Sequence, residues 1–388
     1  MNKKKIALFI VSLYGGGAER VVSILLNHFE DSFDIHLVLL QPIIEYDIPA
    51  SQKITVLDKS PSNNSFFNIL KIPFLAFRYY RFLRKNNITT SFSFLNRPNF
   101  IAGFLKIFGW KGKVVMSERT FTSEYYTTKS TGERIGRWLV KKLYPKADLI
   151  ICNSKCIEKD LREIFKVQTI YSIIYNPINL TQINESITYN KKFENNTTRP
   201  FTFITIGRLN QIKNHKLFIE AASLLTDFDF RVQIVGKGEL KKILEDYIIL
   251  TNMQERITLI DHSSDPIKYL IMADCFVLTS NFEGFPNVLL EALACNLPII
   301  STDCKGGVRE LLAPSISDDI PFSNKEIIYA DYGLLTPVRN PEILAKAMKT
   351  LYNDKNLQQS YKAKNFSRAK DYDIFVIMDS FKDSLNAE

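Results

Sequence analysis

Blocks of apolar residues alternate with amphipathic stretches along most of this chain. Apolar runs at 4–13, 35–40, 54–57, 88–94, 113–116 and 148–152 read as buried strands, and the stretches between them carry helical periodicity. The pattern restarts after residue 200. Runs at 201–206, 230–235, 257–260, 275–279 and 298–301 alternate there with helical stretches such as 213–225 and 239–251. Strand and helix in alternation predict a doubly wound parallel sheet, because each parallel connection needs a crossover long enough to hold a helix. Two such series predict an α/β chain of two Rossmann-like domains, 1–175 and 201–365, with the cleft between them as the default ligand site. Residues 176–200 open on Asn176-Pro177 and are rich in Asn, Thr, Gln and Ser, which reads as a linker. The segment 357–386 reads as helices.

One strand–loop–helix passage, residues 281–292, organises the rest. Gly284 and Pro286 mark a loop after the strand 275–279, and Asn287 onward reads as a helix. The first N–H groups of a helix lack internal partners and carry partial positive charge, which makes a phosphate site. Glu283 precedes this site and Glu291 lies two turns into the helix. Carboxylates beside an anion are costly unless they bind something neutral, such as sugar hydroxyls. A phosphate cradle flanked by two hydroxyl-binding carboxylates fits a nucleotide sugar. A plain strand–helix turn, with Glu283 as a solvated cap and Glu291 on an exposed face, fits the same residues.

Other strand ends carry related chemistry. Gly207-Arg208, followed by Lys213, sets two cations after strand 201–206. Arg binds a diphosphate bidentately and Lys acts as a point charge, although two plain surface cations explain the pattern too. Gly236-Lys237-Gly238-Glu239 repeats the strand–glycine–helix arrangement and would let backbone approach a base or ribose. Asp303 to Glu310, with Gly306-Gly307 inside, follows a further strand. Gly15-Gly16-Gly17 follow the first strand of the chain, but a dinucleotide fingerprint starting at Gly15 would need glycine where Arg20 stands. Glu118-Arg119 ends another first-domain strand, as an acceptor-side base or binding group or as a salt-bridged pair.

Charge narrows the picture. Residues 1–180 hold 26 Lys/Arg against 14 Asp/Glu, a balance of +12, and residues 181–388 hold 24 against 27, a balance of −3. The first domain therefore faces an anionic partner. Within it, Lys71, Arg78, Arg81, Arg84 and Lys85 fall on one arc of a helical stretch 66–85 that Pro73 breaks or kinks early. Ile72, Leu75, Ala76, Tyr79 and Leu83 fall opposite. Such a helix suits an anionic membrane surface or a lipid diphosphate, and equally a sheet-packing helix with a solvated face.

Several classes drop out. No apolar run reaches the ~18–20 residues of a membrane helix. The basic, apolar N-terminus superficially resembles a signal peptide, but it leads through glycines straight into another apolar helix pattern, so a first strand is the better reading. Five cysteines (152, 156, 275, 295, 304) lack framework or zinc spacing, which points to a reducing cytoplasm. The histidines 28, 36, 215 and 262 have no metal-ligand spacing, and His215 reads as a surface histidine. No nucleic-acid-binding module accompanies the basic residues.

In their order, these motifs resemble the family 4 glycosyltransferases. They are Gly16-Gly17-Ala18-Glu19-Arg20, Asn176-Pro177, Gly207-Arg208-Leu209 with Lys213-Asn214, and Gly236-x-Gly238-Glu239. Glu283-Gly284-Phe285-Pro286-Asn287 with Glu291-Ala292, Gly306-Gly307 with Glu310, and Gly333-Leu334-Leu335 complete the series. The Gly-Gly-Ala-Glu-Arg opening is similar to bacterial members that build surface glycans (lipopolysaccharide, capsule) on lipid-linked acceptors. The resemblance implies the GT-B fold, with a final helix, 366–388, packing back on an acceptor-binding first domain. It implies a retaining, metal-independent and cofactor-free transfer of a hexose or N-acetylhexosamine from a nucleotide-diphosphate sugar, most simply a UDP-sugar. Arg208 and Lys213 would neutralise the leaving diphosphate, Glu283 would contact the donor sugar, and Glu291 the ribose. Gly16, Gly17, Gly207, Gly236, Gly238, Glu239, Phe285 and the backbone of Asn287, Val288 and Leu289 would complete the donor site. The chain would work in the cytoplasm, peripheral to the inner face of the membrane. Many relatives carry a first-domain histidine near the donor sugar. Here Ser117-Glu118-Arg119 stands instead, which leaves Glu118 as the candidate. A sugar-nucleotide epimerase of the same shape is the alternative, and a non-enzymatic membrane or nucleic-acid binder is a third class.

Overall fold

A computed structural model describes residues 3–58, 65–191, 199–263, 265–317 and 325–387. The chain divides into two compact units, Met1–Asn176 with Ile377–Glu388, and Pro177–Val376.

The first unit is a seven-stranded sheet. Its strands are β1 (Lys4–Ile10), β2 (Phe33–Leu39), β3 (Lys53–Val56), β4 (Thr90–Phe94), β5 (Lys113–Glu118), β6 (Leu149–Cys152) and β7 (Tyr171–Ile173). They run parallel in the order β3-β2-β1-β4-β5-β6-β7. Central strands covered on both faces read as continuous apolar runs, and Ile6 to Ile10 of β1 are fully buried. The order reverses between β1 and β4, so the loops after these two strands diverge and leave a crevice at the carboxyl edge.

The second unit repeats the plan. Its strands are β8 (Phe201–Ile206), β9 (Phe230–Val235), β10 (Ile257–Ile260), β11 (Cys275–Leu278), β12 (Ile299–Thr302), β13 (Ile328–Ala330) and β14 (Gly333–Thr336). Their order is β10-β9-β8-β11-β12-β14-β13, and only β13, paired with β14, is antiparallel. The switch point here lies between β8 and β11. The loops after those two strands are the Gly207–Lys213 turn and the 279–286 passage.

One expectation needs correction and two gain detail. The segment 176–200 is not all linker: a helix, Leu180–Lys191, occupies its middle and packs against the Ile267–Leu270 and Asn287–Ala294 helices. Leu180 and Ile183 are its buried residues, and the polar composition that reads as a linker is its exposed face. Residues 192–198 of that segment lie outside the described residues. The stretch 66–85 is two helices, Ser65–Leu70 and Ile72–Lys85, with Pro73 in the first turn of the second, where its missing N–H costs nothing. The C-terminal region is also two helices. Lys355–Lys370 is tied to the second unit, with Asn365 donating to the Leu297 carbonyl at 2.7 Å and Tyr361 to that of Gly333 at 3.0 Å. The boundary between units then falls inside Ile374–Asn386. On the first-unit side Phe381 meets the Phe92 ring at 6.0 Å, and Lys4 donates to the Leu385 carbonyl at 2.6 Å.

Candidate active site

The turn after β8 and the loop after β11 are stitched together. Asn281 N–H donates to the Ile212 carbonyl at 2.8 Å, its side-chain amide to that of Gln211 at 2.8 Å, and Thr279 Oγ1 to that of Lys213 at 2.9 Å. This lacing aims Lys213 at Glu283, with Nζ 2.5 Å from Oε1. Ser280 Oγ donates to the same oxygen at 2.5 Å. Two residues seventy positions apart, both singled out from sequence, thus form one charged pair. Both are largely buried, and Glu283 Oε2 receives no hydrogen bond among the described residues. One oxygen of the carboxylate is therefore left without a partner among the described residues.

The Gly306-Gly307 loop holds the Glu283 backbone. Glu283 N–H donates to the Lys305 carbonyl at 2.9 Å, and Gly307 N–H to that of Gly284 at 2.8 Å. A Cβ on Gly306, at φ +121°, would lie 1.8 Å from the Glu283 carbonyl oxygen, so only glycine permits this approach. Asp303 and Arg309 bracket the loop as a buried bidentate pair, Nε–Oδ1 2.8 Å and Nη2–Oδ2 2.7 Å. Sequence reading picked out the glycines but missed this pair and Ser280. The i, i+6 spacing of Asp303 and Arg309 across a double glycine was the available signal.

Other expected donor residues have different placements. Gly236 and Gly238 are consumed by the fold. A Cβ on either would lie 1.9 Å from the Gly207 carbonyl oxygen or 2.3 Å from that of Leu209, because the two turns pair through Leu209 N–H to Lys237 O. Gly207 leaves room for the Lys213 stem, 3.5 Å away. Phe285 is buried on the Tyr372 ring at 5.4 Å and serves packing. Arg208 and Glu239 are exposed. The Arg208 guanidinium makes no ion pair or hydrogen bond among the described residues. The Asn287–Ala294 helix has no side-chain cap, and Asn287 and Val288 are half-buried at its start. The Leu289 N–H is committed to the Pro286 carbonyl at 3.0 Å. Glu291 is buried rather than on an exposed face. His215, expected at the surface, is buried two residues on from Lys213, and burial followed by the Lys213 charge pushes it down to about 4, so the ring is neutral at physiological pH.

In the first unit, Gly16 and Gly17 open the Gly17–Phe29 helix. The space that Gly16 leaves is filled by the Glu19 carboxylate, 2.1 Å from a hypothetical Cβ. Glu118, expected to face an acceptor, is fully buried. It accepts from Tyr144 Oη at 2.6 Å and from the backbone N–H groups of Arg119 and Thr120 at 3.0 Å each. The neighbouring Arg119 turns away from it, donating to Ser117 Oγ at 3.1 Å and to Asn176 Oδ1. Both residues are therefore internal scaffolding of the carboxyl edge, and no Glu118–Arg119 ion pair forms among the described residues.

Burial pushes the Glu118 carboxyl up to about 7, against the hydrogen bonds that pull it down. An unfolded Glu ionises near about 4.3. Between those values the folded chain keeps a proton that the unfolded chain has released. Its contribution to stability is full at the acidic end and falls as pH rises through about 7. Glu118→Gln retains an acceptor for both backbone N–H groups. It is expected to abolish this fall, on the order of 3 kcal/mol. Urea unfolding of both proteins at about pH 5 and about pH 8 measures it, and parallel pH dependences would contradict the assignment.

Known proteins share this architecture. A family model described as Glycosyltransferase Family 4 matches residues 15–182, and one described as Glycosyl transferases group 1 matches residues 187–368. The chain is 37% identical over 381 residues to N-acetylgalactosamine-N,N'-diacetylbacillosaminyl-diphospho-undecaprenol 4-alpha-N-acetylgalactosaminyltransferase of Campylobacter jejuni, covering 98% of this chain and 99% of the relative. Among solved structures, HepE of Anabaena in complex with UDP aligns with a TM-score of 0.76 at 16% identity, over 98% of this chain and 99% of that one. WaaG, a glycosyltransferase involved in lipopolysaccharide biosynthesis, aligns with a TM-score of 0.76 at 13% identity, over 99% and 100%. The fold is GT-B. With a relative matched end to end and both family models in register with the two units, the chain belongs to the family 4 glycosyltransferases.

Proposed function

We propose that this glycosyltransferase moves a hexose or N-acetylhexosamine from a UDP-sugar to a lipid-linked or polysaccharide acceptor of a bacterial surface glycan, with retention of configuration and without metal or cofactor. The observation that carries the reading is the Lys213–Glu283 pair held by Ser280, with Arg208 exposed on the same turn as Lys213. The two cations neutralise the diphosphate as it leaves, and the free Glu283 oxygen holds a sugar hydroxyl. No nucleophile is required: in a retaining transfer the departing phosphate accepts the proton of the incoming hydroxyl. Glu291 holds the ribose, and the Asn287 and Val288 backbone adds donors to the phosphates. UDP as carrier is supported by the HepE complex, and a lipid-linked acceptor by the Campylobacter relative's name. The epimerase alternative is not favoured, since the relatives are transferases. None of the described helices is long and apolar enough to cross a membrane, and the proposal places the chain peripherally on the inner face.

Thermal unfolding with UDP, GDP or ADP at about 100 times an assumed micromolar dissociation constant tests the donor site. UDP is expected to add roughly 2.7 kcal/mol and raise the midpoint by several degrees. Transfer is expected to persist in EDTA and to give an anomeric proton of the donor's configuration by NMR. No shift with any nucleotide, loss of transfer in EDTA, or an inverted product would each remove the corresponding part.

A further inference from the structure

Two arginines are buried among the described residues, and their surroundings differ. Arg309 meets Asp303 in a two-pronged ion pair. Half-buried Lys71, expected on the basic arc, and Arg97 likewise share Asp58. Arg119, at 8% exposure, makes no ion pair among the described residues. Its Nη1 and Nη2 donate to Ser117 Oγ and Asn176 Oδ1, which hold it in place but are neutral acceptors. Its Nε is enclosed and has no partner. The guanidinium lies 5.9 Å from the Phe94 ring centroid, a weak compensation for lost water.

Nearby ionisable groups do not supply the missing charge. Glu118 accepts from Tyr144 Oη and two backbone N–H groups, and burial raises its carboxyl to about 7. Burial also raises the Cys152 thiol well above its usual range, so it is neutral. Glu19 acts on Arg119 more weakly than either. Burial accordingly pushes Arg119 down to about 10. A cation taken out of water without a counterion is costly, and buried charges in proteins are as a rule paired.

A second unanswered group lies beside it. Asn153, 2% exposed, donates through Nδ2 to the same Asn176 Oδ1 at 3.4 Å, and its own Oδ1 has no partner. Arg119 directly follows β5, Asn153 directly follows β6, and Asn176 lies just past β7. All three stand at the carboxyl edge of the first sheet, the edge at which open α/β sheets bind ligands. A spare donor on a cation and a spare acceptor, joined through one amide oxygen, suit a ligand with both an anionic oxygen and a hydroxyl. A buried water would satisfy Nε and Oδ1 but leave the charge unanswered.

We propose that Arg119, Asn153 and Asn176 form a subsite for a glycosyl phosphate, with Arg119 on a phosphate oxygen and a sugar hydroxyl donating to Asn153 Oδ1. The subsite belongs to the first unit, whereas Lys213 and Glu283 belong to the second. The choice of a glycosyl phosphate rests on the proposed function. Two substrates of that function carry one, the nucleotide-sugar donor and a lipid-diphosphate acceptor.

Isothermal titration of the full chain with N-acetylglucosamine 1-phosphate, and with inorganic phosphate for comparison, tests the subsite. Arg119→Gln is expected to weaken the sugar phosphate about tenfold or more, and Arg119→Lys to recover part of that loss. Asn153→Leu should cost the sugar phosphate roughly threefold to tenfold and leave inorganic phosphate unchanged, because the hydroxyl it meets belongs to the sugar. Without ligand, Arg119→Gln should melt no lower than wild type, since it removes an uncompensated buried charge. Saturating UDP separates the two sources. Arg119-dependent binding that UDP abolishes assigns the subsite to the donor, and Arg119-dependent binding that persists assigns it to the acceptor. Unchanged affinity in Arg119→Gln would overturn the proposal. So would an Arg119→Gln chain that melts well below wild type while Asn153→Leu binds the sugar phosphate normally, because Arg119 would then be scaffolding alone. Failure of UDP to bind the wild-type chain would count against the transferase reading, and the Arg119 and Asn153 variants would still decide the subsite.

Discussion

Arg208→Ala and Lys213→Ala are each expected to lower kcat/KM for sugar transfer by roughly 10²–10³-fold, the loss seen when one preorganised stabiliser of developing charge is removed. The two should differ in stability. Arg208 is exposed and its guanidinium is bonded to nothing among the described residues, so its truncation should leave unfolding within about 0.5 kcal/mol of wild type. Lys213 is paired with Glu283 in a largely buried site, and its loss strands a carboxylate whose other side-chain partner among the described residues is Ser280. That truncation should also destabilise the second unit, by about 1–3 kcal/mol. Arg208→Ala is thus the cleaner probe of chemistry. If it neutralises the leaving diphosphate, kcat should fall more than KM rises, because the charge it meets is greater in the transition state than in the bound donor. A loss under about threefold in Arg208→Ala, with donor at saturation, would sink the role given to Arg208.

The strands that build both sheets could be read from apolar runs because parallel strands covered on both faces leave little room for polar residues. β7 and β13 escaped because runs of three residues at sheet edges carry too little pattern, and β14, an inner strand of four, was picked out only as the Gly333-Leu334-Leu335 motif. The Leu180–Lys191 helix escaped because two buried side chains, Leu180 and Ile183, anchor an otherwise polar sequence. In the site, the local signals survived: Lys213 and Glu283 stand where glycine turns follow strands, and the fold brings them together. Sequence gave no means of knowing which glycines serve ligand and which serve backbone. Gly236 and Gly238 accommodate the Gly207–Leu209 chain, a contact between turns some thirty residues apart. Burial was equally hidden for Glu118 and His215. Each is polar in a polar stretch and is enclosed by residues from other elements, including Tyr144 over Glu118.

Asp303→Ala is expected to cost about 3–5 kcal/mol of unfolding free energy, because it leaves the Arg309 guanidinium buried without its carboxylate. The position also matters for chemistry. Asp303 and Arg309 bracket Gly306-Gly307, and Lys305 accepts the Glu283 N–H, so loosening the bracket frees the backbone that aims Glu283. Lost stability and weakened UDP binding should therefore appear together. Arg309→Lys keeps the charge but not the two-pronged geometry, and should fall between wild type and Asp303→Ala. The double substitution Asp303→Leu with Arg309→Met removes both charges and should recover most of the stability, since a buried pair roughly balances its own desolvation. It should not recover donor binding if the pair's purpose is to fix the loop. Urea unfolding and UDP titration of the four proteins separate these effects. Destabilisation of Asp303→Ala below about 1 kcal/mol would mean that water reaches Arg309. Full recovery of UDP affinity in the double variant would mean that the glycines and the Lys305–Glu283 hydrogen bond hold the loop without the ion pair.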